Sequence, residues 1–105
     1  MISGFIGFTQ PFTGEVAGSA TAAQIPSGLR RECKRVVIRA ASDNAGSVYI
    51  GFTSGVTKAD GTSDTTTGIE LTKTDPPLVL DIPRTDDIWY ICTNAGDDFM
   101  ILILS

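Results

Sequence analysis

The sequence predicts an all-β domain, an antiparallel β-sandwich or jelly roll of about seven or eight strands. Three observations support this. The stretch from Cys33 to Phe52, CKRVVIRAASDNAGSVYIGF, reads as strand, Asn-Ala-Gly corner, strand. Its β-branched and aromatic residues suit a pleated, half-buried surface, and Asn and Gly tolerate the positive φ of a tight corner. The same plan returns in IWYICTNAGDDFMILIL, from Ile88 to Leu104. No segment has the length and 3.6-residue period of a substantial helix.

Residues 1–14 read as an N-terminal apolar arm, and 15–105 as a single β-sandwich domain. The arm is broken by Gly4, Gly7, Pro11 and Gly14, and its Phe5, Ile6, Phe8 and Phe12 need a groove on the parent domain or on a neighbour. Residues 15–22 offer a first strand of small side chains. Pro26 removes a backbone donor and Gly28 permits an unusual φ, so a central strand cannot run through them.

From Glu32 to Ala41 the alternation puts Lys34, Val36, Ile38 and Ala40 on one face and Cys33, Arg35, Val37, Arg39 and Ala41 on the other. Arg35 and Arg39 direct that second face to water or a partner. The next strand, Ser47 to Thr53, sets Val48, Ile50 and Phe52 inward, with Tyr49 and Gly51 facing away. Residues 54–68 form a long polar loop. A short strand, Ile69 to Lys73, ends at Asp75-Pro76-Pro77. Leu78, Leu80 and Ile82 alternate along another, and Ile88 to Thr93 makes the next. Trp89 and Tyr90 fall on opposite faces, one in the core and one at a surface. The last strand, Asp98 to Leu104, is apolar on both faces: Phe99, Ile101 and Ile103 against Met100, Leu102 and Leu104. A strand with one face on the core alternates, so something must cover its outer side.

At 105 residues and 42% hydrophobic content, the chain suits one folded domain. Its longest wholly apolar run, Phe99 to Leu104, is far short of the ~20 residues that span a bilayer. No basic residue precedes the apolar N-terminus, so neither a secretory signal nor a membrane partner is expected. A net charge of −4 argues against nucleic acid, which needs a surplus of Lys and Arg on one face. The charge is uneven. Residues 1–42 hold five basic and two acidic residues (+3), and residues 43–105 three basic and ten acidic (−7). That asymmetry reads as mixed solvated charge or as complementarity between subunits. Cys33 and Cys92 are expected to be buried, reduced thiols.

The chemistry-bearing residues are few. Without histidine the chain lacks the commonest general base and zinc ligand. Two cysteines cannot complete a structural zinc site. Asp86-Asp87 and Asp97-Asp98 read as solvated turn residues, and Asp60 and Asp64 lack the ligand spacing of a calcium loop. No catalytic, metal or cofactor site is expected, and no enzymatic activity.

The run TAAQIPSG, then CKRVVIRAASDNAGSVYIGF, TTGIEL, LVLDI, DDIWYIC and NAGD, resembles small structural proteins of tailed bacteriophages. Ala40, Asn44, Gly46, Tyr49, Ile50 and Gly51 carry the likeness, which covers residues 20–105. The resemblance implies a β-sandwich that sits in virions as capsid cement, minor capsid protein or fibre component. On that footing the expected function is a non-enzymatic virion structural protein, assembled in the host cytoplasm. It forms a homo-oligomer, with a trimer favoured, that decorates the major capsid protein. Phe5, Phe8 and Phe12 are the candidate anchors. Arg30, Arg31, Lys34 and Arg35 are the candidate contacts to an acidic partner, and Met100, Leu102 and Leu104 the candidate outer face of the last strand. The rival reading is a carbohydrate- or receptor-binding module of a fibre or tail, engaging a glycan through exposed aromatics and loop 54–68.

Overall fold

The computed structural model describes residues 12–59 and 66–104. Eight strands follow in chain order: β1 Phe12–Val16, β2 Ala23–Gln24, β3 Arg35–Ala40, β4 Val48–Gly51, β5 Ile69–Leu71, β6 Leu78–Leu80, β7 Trp89–Cys92 and β8 Phe99–Leu104. They form two four-stranded antiparallel sheets, ordered β1-β8-β3-β6 and β2-β7-β4-β5. Among the described residues the only helical turns are single 3-10 turns at Ser27–Leu29 and Thr85–Asp87. No helix there is long and apolar enough to cross a membrane.

The order has a simple origin. β1 pairs with β8, β2 with β7, β3 with β6 and β4 with β5, which are the rungs of one long antiparallel hairpin. Rolling that hairpin up adds the pairs β3–β8 and β4–β7 and splits the ladder into two sheets. The result is a jelly roll. Its core is the inward row of each strand. Val36, Ile38 and Ala40 of β3 meet Phe99, Ile101 and Ile103 of β8, with Val48, Ile50, Tyr90 and Cys92 from the other sheet. The Tyr90 and Phe99 rings meet edge to face across the sandwich, their centroids 4.9 Å apart. Tyr90 is buried and Trp89 half-buried, as their opposite parity requires.

Several boundaries differ from the sequence reading, each for a local reason. β1 begins at Phe12, so residues 12–14 belong to the sheet rather than to an arm. Residues 17–22 are not a strand; Gly18 there lies close against the backbone of Ala95 and Asp97. β4 stops at Gly51, and Phe52, expected inward, is 44% exposed. The chain turns there, and buried Val56 packs over Gly51 instead. The described ends of loop 54–68, residues 54–59 and 66–68, are tied down. Thr57 and Thr67 exchange backbone and hydroxyl bonds, and Lys58 Nζ donates to the carbonyls of Ala20 and Cys92 at 3.1 and 3.0 Å.

The two Asn-Ala-Gly corners lock together. Asp97, expected to be a solvated turn residue, is only 2% exposed. Its Oδ1 accepts the N–H groups of Ala45 and Gly46 at 3.0 and 3.1 Å, and its Oδ2 accepts the backbone and side-chain N–H groups of Asn94 at 2.9 and 3.1 Å. Asn44, equally buried, donates to the Asp98 carbonyl and accepts from the Asp98 N–H. Asp98 Oδ1 accepts the Gly18 N–H at 2.8 Å. A Cβ on Gly46 would stand 2.5 Å from Thr93 Cβ and 2.7 Å from Asp97 Oδ2, so only glycine lets the corners approach. Both cysteines are free and buried; Cys33 lies just ahead of β3 rather than inside a strand, and its Sγ donates to the Ile82 carbonyl.

Burial alone would raise the Asp97 pKa, but the N–H groups of Gly46, Asn94 and Ala45 outweigh it and hold the carboxyl below its usual range. Its stabilising contribution is therefore full above the unfolded-state value of about 4 and is lost as pH falls through the lower folded value. Asp97→Ala should cost about 3 kcal/mol in denaturant unfolding at neutral pH, because it strands several buried donors. The stability gap between wild type and Asp97→Asn should narrow on titration below pH ~4. A gap that stays constant with pH would show that the carboxylate charge is irrelevant to the lock.

Candidate assembly surface

The outward rows of the β1-β8-β3-β6 sheet make the surface of interest. Register places Thr13, Leu102, Val37 and Val79 side by side across all four strands. Leu102 and Val37 are half-buried, and Val79 is 51% exposed. The row toward the Asn-Ala-Gly corners holds Glu15, Met100 and Arg39. In the opposite row Leu104 pairs with Arg35, whose Nε donates to Asp81 Oδ1 at 2.6 Å. An apolar stripe thus crosses the sheet, flanked by rows in which Met100 and Leu104 sit among Glu15, Arg39 and Arg35. Part of it is a groove of 240 Å³ lined by Thr13, Val37, Arg39, Pro77, Met100 and Leu102.

The candidate residues fall into three groups. Met100, Leu102 and Leu104 share this outer face and are each half-buried. The strand predicted to be apolar on both faces is so: its inner row is sealed and its outer row is only partly covered within one copy. Arg30, Arg31, Lys34 and Arg35 gather toward the end of the sandwich where β3 starts. Arg30 Nε donates to the Ile25 carbonyl and Arg31 to the Gly28 carbonyl, while Lys34 is exposed. Phe5 and Phe8 lie outside the described residues, as do Asp60 and Asp64. Phe12 opens β1, its backbone opposite Ile103.

Ion pairs tie together some of the charges at this end. Glu32 bridges to Arg84, their side chains 3.5 Å apart, and Arg84 also reaches Asp86 at 3.3 Å. Only Arg35–Asp81 brings an acid of the second half onto a base of the first; Glu32–Arg84 joins the halves the other way, and Arg84–Asp86 lies within the second. The hydrogen bond to Arg35 holds the Asp81 carboxyl below its ordinary range, and the Arg35 guanidinium is shifted upward in return. This end is secured chiefly by Thr85, which is fully buried. Its hydroxyl donates to the Leu29 carbonyl at 2.7 Å and accepts the Arg31 N–H at 2.8 Å. No sequence signal marked Thr85 or Val79, because each matters only through the strand it faces.

On the second sheet, the outward Tyr49 is buried, with Gly68 against its Cβ. Its hydroxyl donates to Glu70 Oε2 at 3.3 Å, and the Ser47 hydroxyl to the same oxygen at 2.7 Å. Among the described residues no group of three or more His, Cys, Asp or Glu side chains is placed to hold a metal ion.

No protein-family model matches this chain, and neither a curated protein nor a solved structure matches it. The fold therefore defines a jelly-roll β-sandwich, and what it does must be argued from its surfaces.

Exposed ion pairs and buried hydroxyls should respond differently to truncation. Arg35→Ala should leave the thermal midpoint unchanged, because its partner is solvated. Thr85→Val should cost about 1–3 kcal/mol, because it leaves the Leu29 carbonyl and the Arg31 N–H unpaired. Calorimetry on the two variants checks the ranking; a larger loss for Arg35→Ala would make the ion pair structural.

Proposed function

We propose that this chain is a non-enzymatic virion structural protein: an oligomeric jelly-roll subunit, with a trimer favoured, that decorates or cements the capsid of a tailed bacteriophage. The observation that carries the reading is the stripe formed by Leu102, Val37 and Val79 on the outside of the sheet whose centre is β8 and β3. Apolar side chains in one continuous row across a sheet gain about 25 cal/mol for each Å² removed from water, before association costs are subtracted. The eight-stranded jelly roll supports it as an architecture that viral capsid domains use. The likeness of TAAQIPSG, DNAGSVYIG and DDIWYIC to phage structural proteins supplies the word capsid. The major capsid protein is the partner that this reading names, and the virion is the location.

Light scattering coupled to size-exclusion chromatography tests the assembly. The expected result is a mass about three times the 11.1 kDa of one chain, together with co-sedimentation on capsids that lack the protein. A stable 11.1 kDa species that ignores capsids and binds on a glycan array would overturn the reading in favour of a carbohydrate-binding module.

A further inference from the structure

We infer that the outer face of the β1-β8-β3-β6 sheet pairs with the same face of a second copy of this chain, about a two-fold axis that runs along β8. This rests on the oligomeric reading above and names one joint and its symmetry.

Charge selects this partner. Glu15, Met100 and Arg39 stand in one outward row across β1, β8 and β3. Glu15 and Arg39 are exposed, carry opposite charge and lie one strand to either side of Met100, about 10 Å apart along the row. Among the described residues neither has an ion-pair partner. A two-fold axis along β8 exchanges the two sides of the sheet. It sets Glu15 of each copy opposite Arg39 of the other, and the contact is made twice. An axis along the row itself would stack Arg39 on Arg39 and Glu15 on Glu15, so the charges choose between the two.

The apolar side chains agree with that axis. Met100 and Leu102 of β8 lie on it and meet their own counterparts, while Val37 of each copy faces Thr13 of the other. The 240 Å³ groove is bordered by these same residues, and an unbranched methionine is suited to filling a partner's groove. Arg35, also on this face, is already matched by Asp81 of its own copy. The strands of the two sheets then run nearly in line, the aligned arrangement in which stacked sheets pack about 10 Å apart.

Size sets the strength. The four strands span three interstrand steps, about 14 Å, and the six residues of β8 about 20 Å. That is about 300 Å² of sheet per copy, well under what a permanent dimer buries. The joint is therefore weak and depends on concentration. A two-fold face also admits one partner only. The contact that closes the favoured trimer lies elsewhere on the sandwich, and this face links one particle to the next.

Charge exchange in full-length chains tests this, read by sedimentation over a range of concentrations. The mass of the wild type is expected to double as concentration rises. Glu15→Arg and Arg39→Glu each set like charges opposite one another and should weaken that step about tenfold at low salt. An equal mixture of the two variants should recover it, because each supplies the charge that the other lacks. Met100→Cys gives a second readout: a short bismaleimide should link chains in pairs, while native Cys33 and Cys92 are buried and react poorly. If either charge variant fails to fold by circular dichroism, this cross-link decides. Single variants that associate like wild type, a mixture that stays unpaired, or no cross-link at position 100 would overturn the two-fold joint while leaving the assembly reading intact. So would a three-chain mass that never doubles. A chain that stays at 11.1 kDa at every concentration would overturn both.

Discussion

A single buried carboxylate organises this molecule. Asp97 accepts four N–H groups from two corners that are some fifty residues apart, and β8 starts two residues later. With Asn44 gripping the Asp98 backbone, this fixes Phe99 opposite Ala40 and hence the register of the whole β3–β8 ladder. Register matters acutely here. A slip by one residue would turn Phe99, Ile101 and Ile103 outward and put Met100, Leu102 and Leu104 in the core. Both rows are apolar, so hydrophobicity alone discriminates weakly between the two alignments. A charged, geometrically exacting contact supplies the choice that greasy side chains cannot make.

The same double-sided strand links fold to role. Some strands of this sandwich declare one face for water: β3 does so with Arg35 and Arg39, and β5 with Glu70. β8 does not, and its outer row joins Val37 and Val79 into a stripe that a lone copy leaves partly wet. The ion pairs Arg35–Asp81 and Arg84–Glu32 meanwhile match two bases with acids of the same subunit. On the assembly reading proposed above, recognition at this face would rest chiefly on shape and apolar contact.

Much of the architecture was legible from alternation. The parity of β3 and β8, the opposite fates of Trp89 and Tyr90, and the recurrence of a strand, Asn-Ala-Gly corner, strand unit followed from period-two patterns and corner chemistry. What escaped was whatever depends on partners distant in sequence. Asp97 after a glycine looks like any solvated turn residue until Ala45 and Gly46 arrive to surround it. Phe52 continues an inward pattern, yet the backbone turns at that point and Val56 takes its place. The imbalance of +3 and −7 gave no hint that Asp81 would pair with Arg35, or Glu32 with Arg84, across the chain's two halves. As for the surface, Met100, Leu102 and Leu104 could be nominated from sequence, whereas Val37 and Val79 joined them only when register set them in one row.

The rolled hairpin also orders the events of biosynthesis. β8 is the middle strand between β1 and β3, yet it is translated after every strand it supports. A nascent chain ending near Cys92 can already form the rungs nearest the hairpin tip, but it holds β1 and β3 with a vacant slot between them. Those facing edges are templates for any extended peptide nearby until residues 99–104 slide in. In a crowded polysome, with many copies emerging side by side, the arrival of residues 99–104 decides whether the strand that fills the slot is the chain's own.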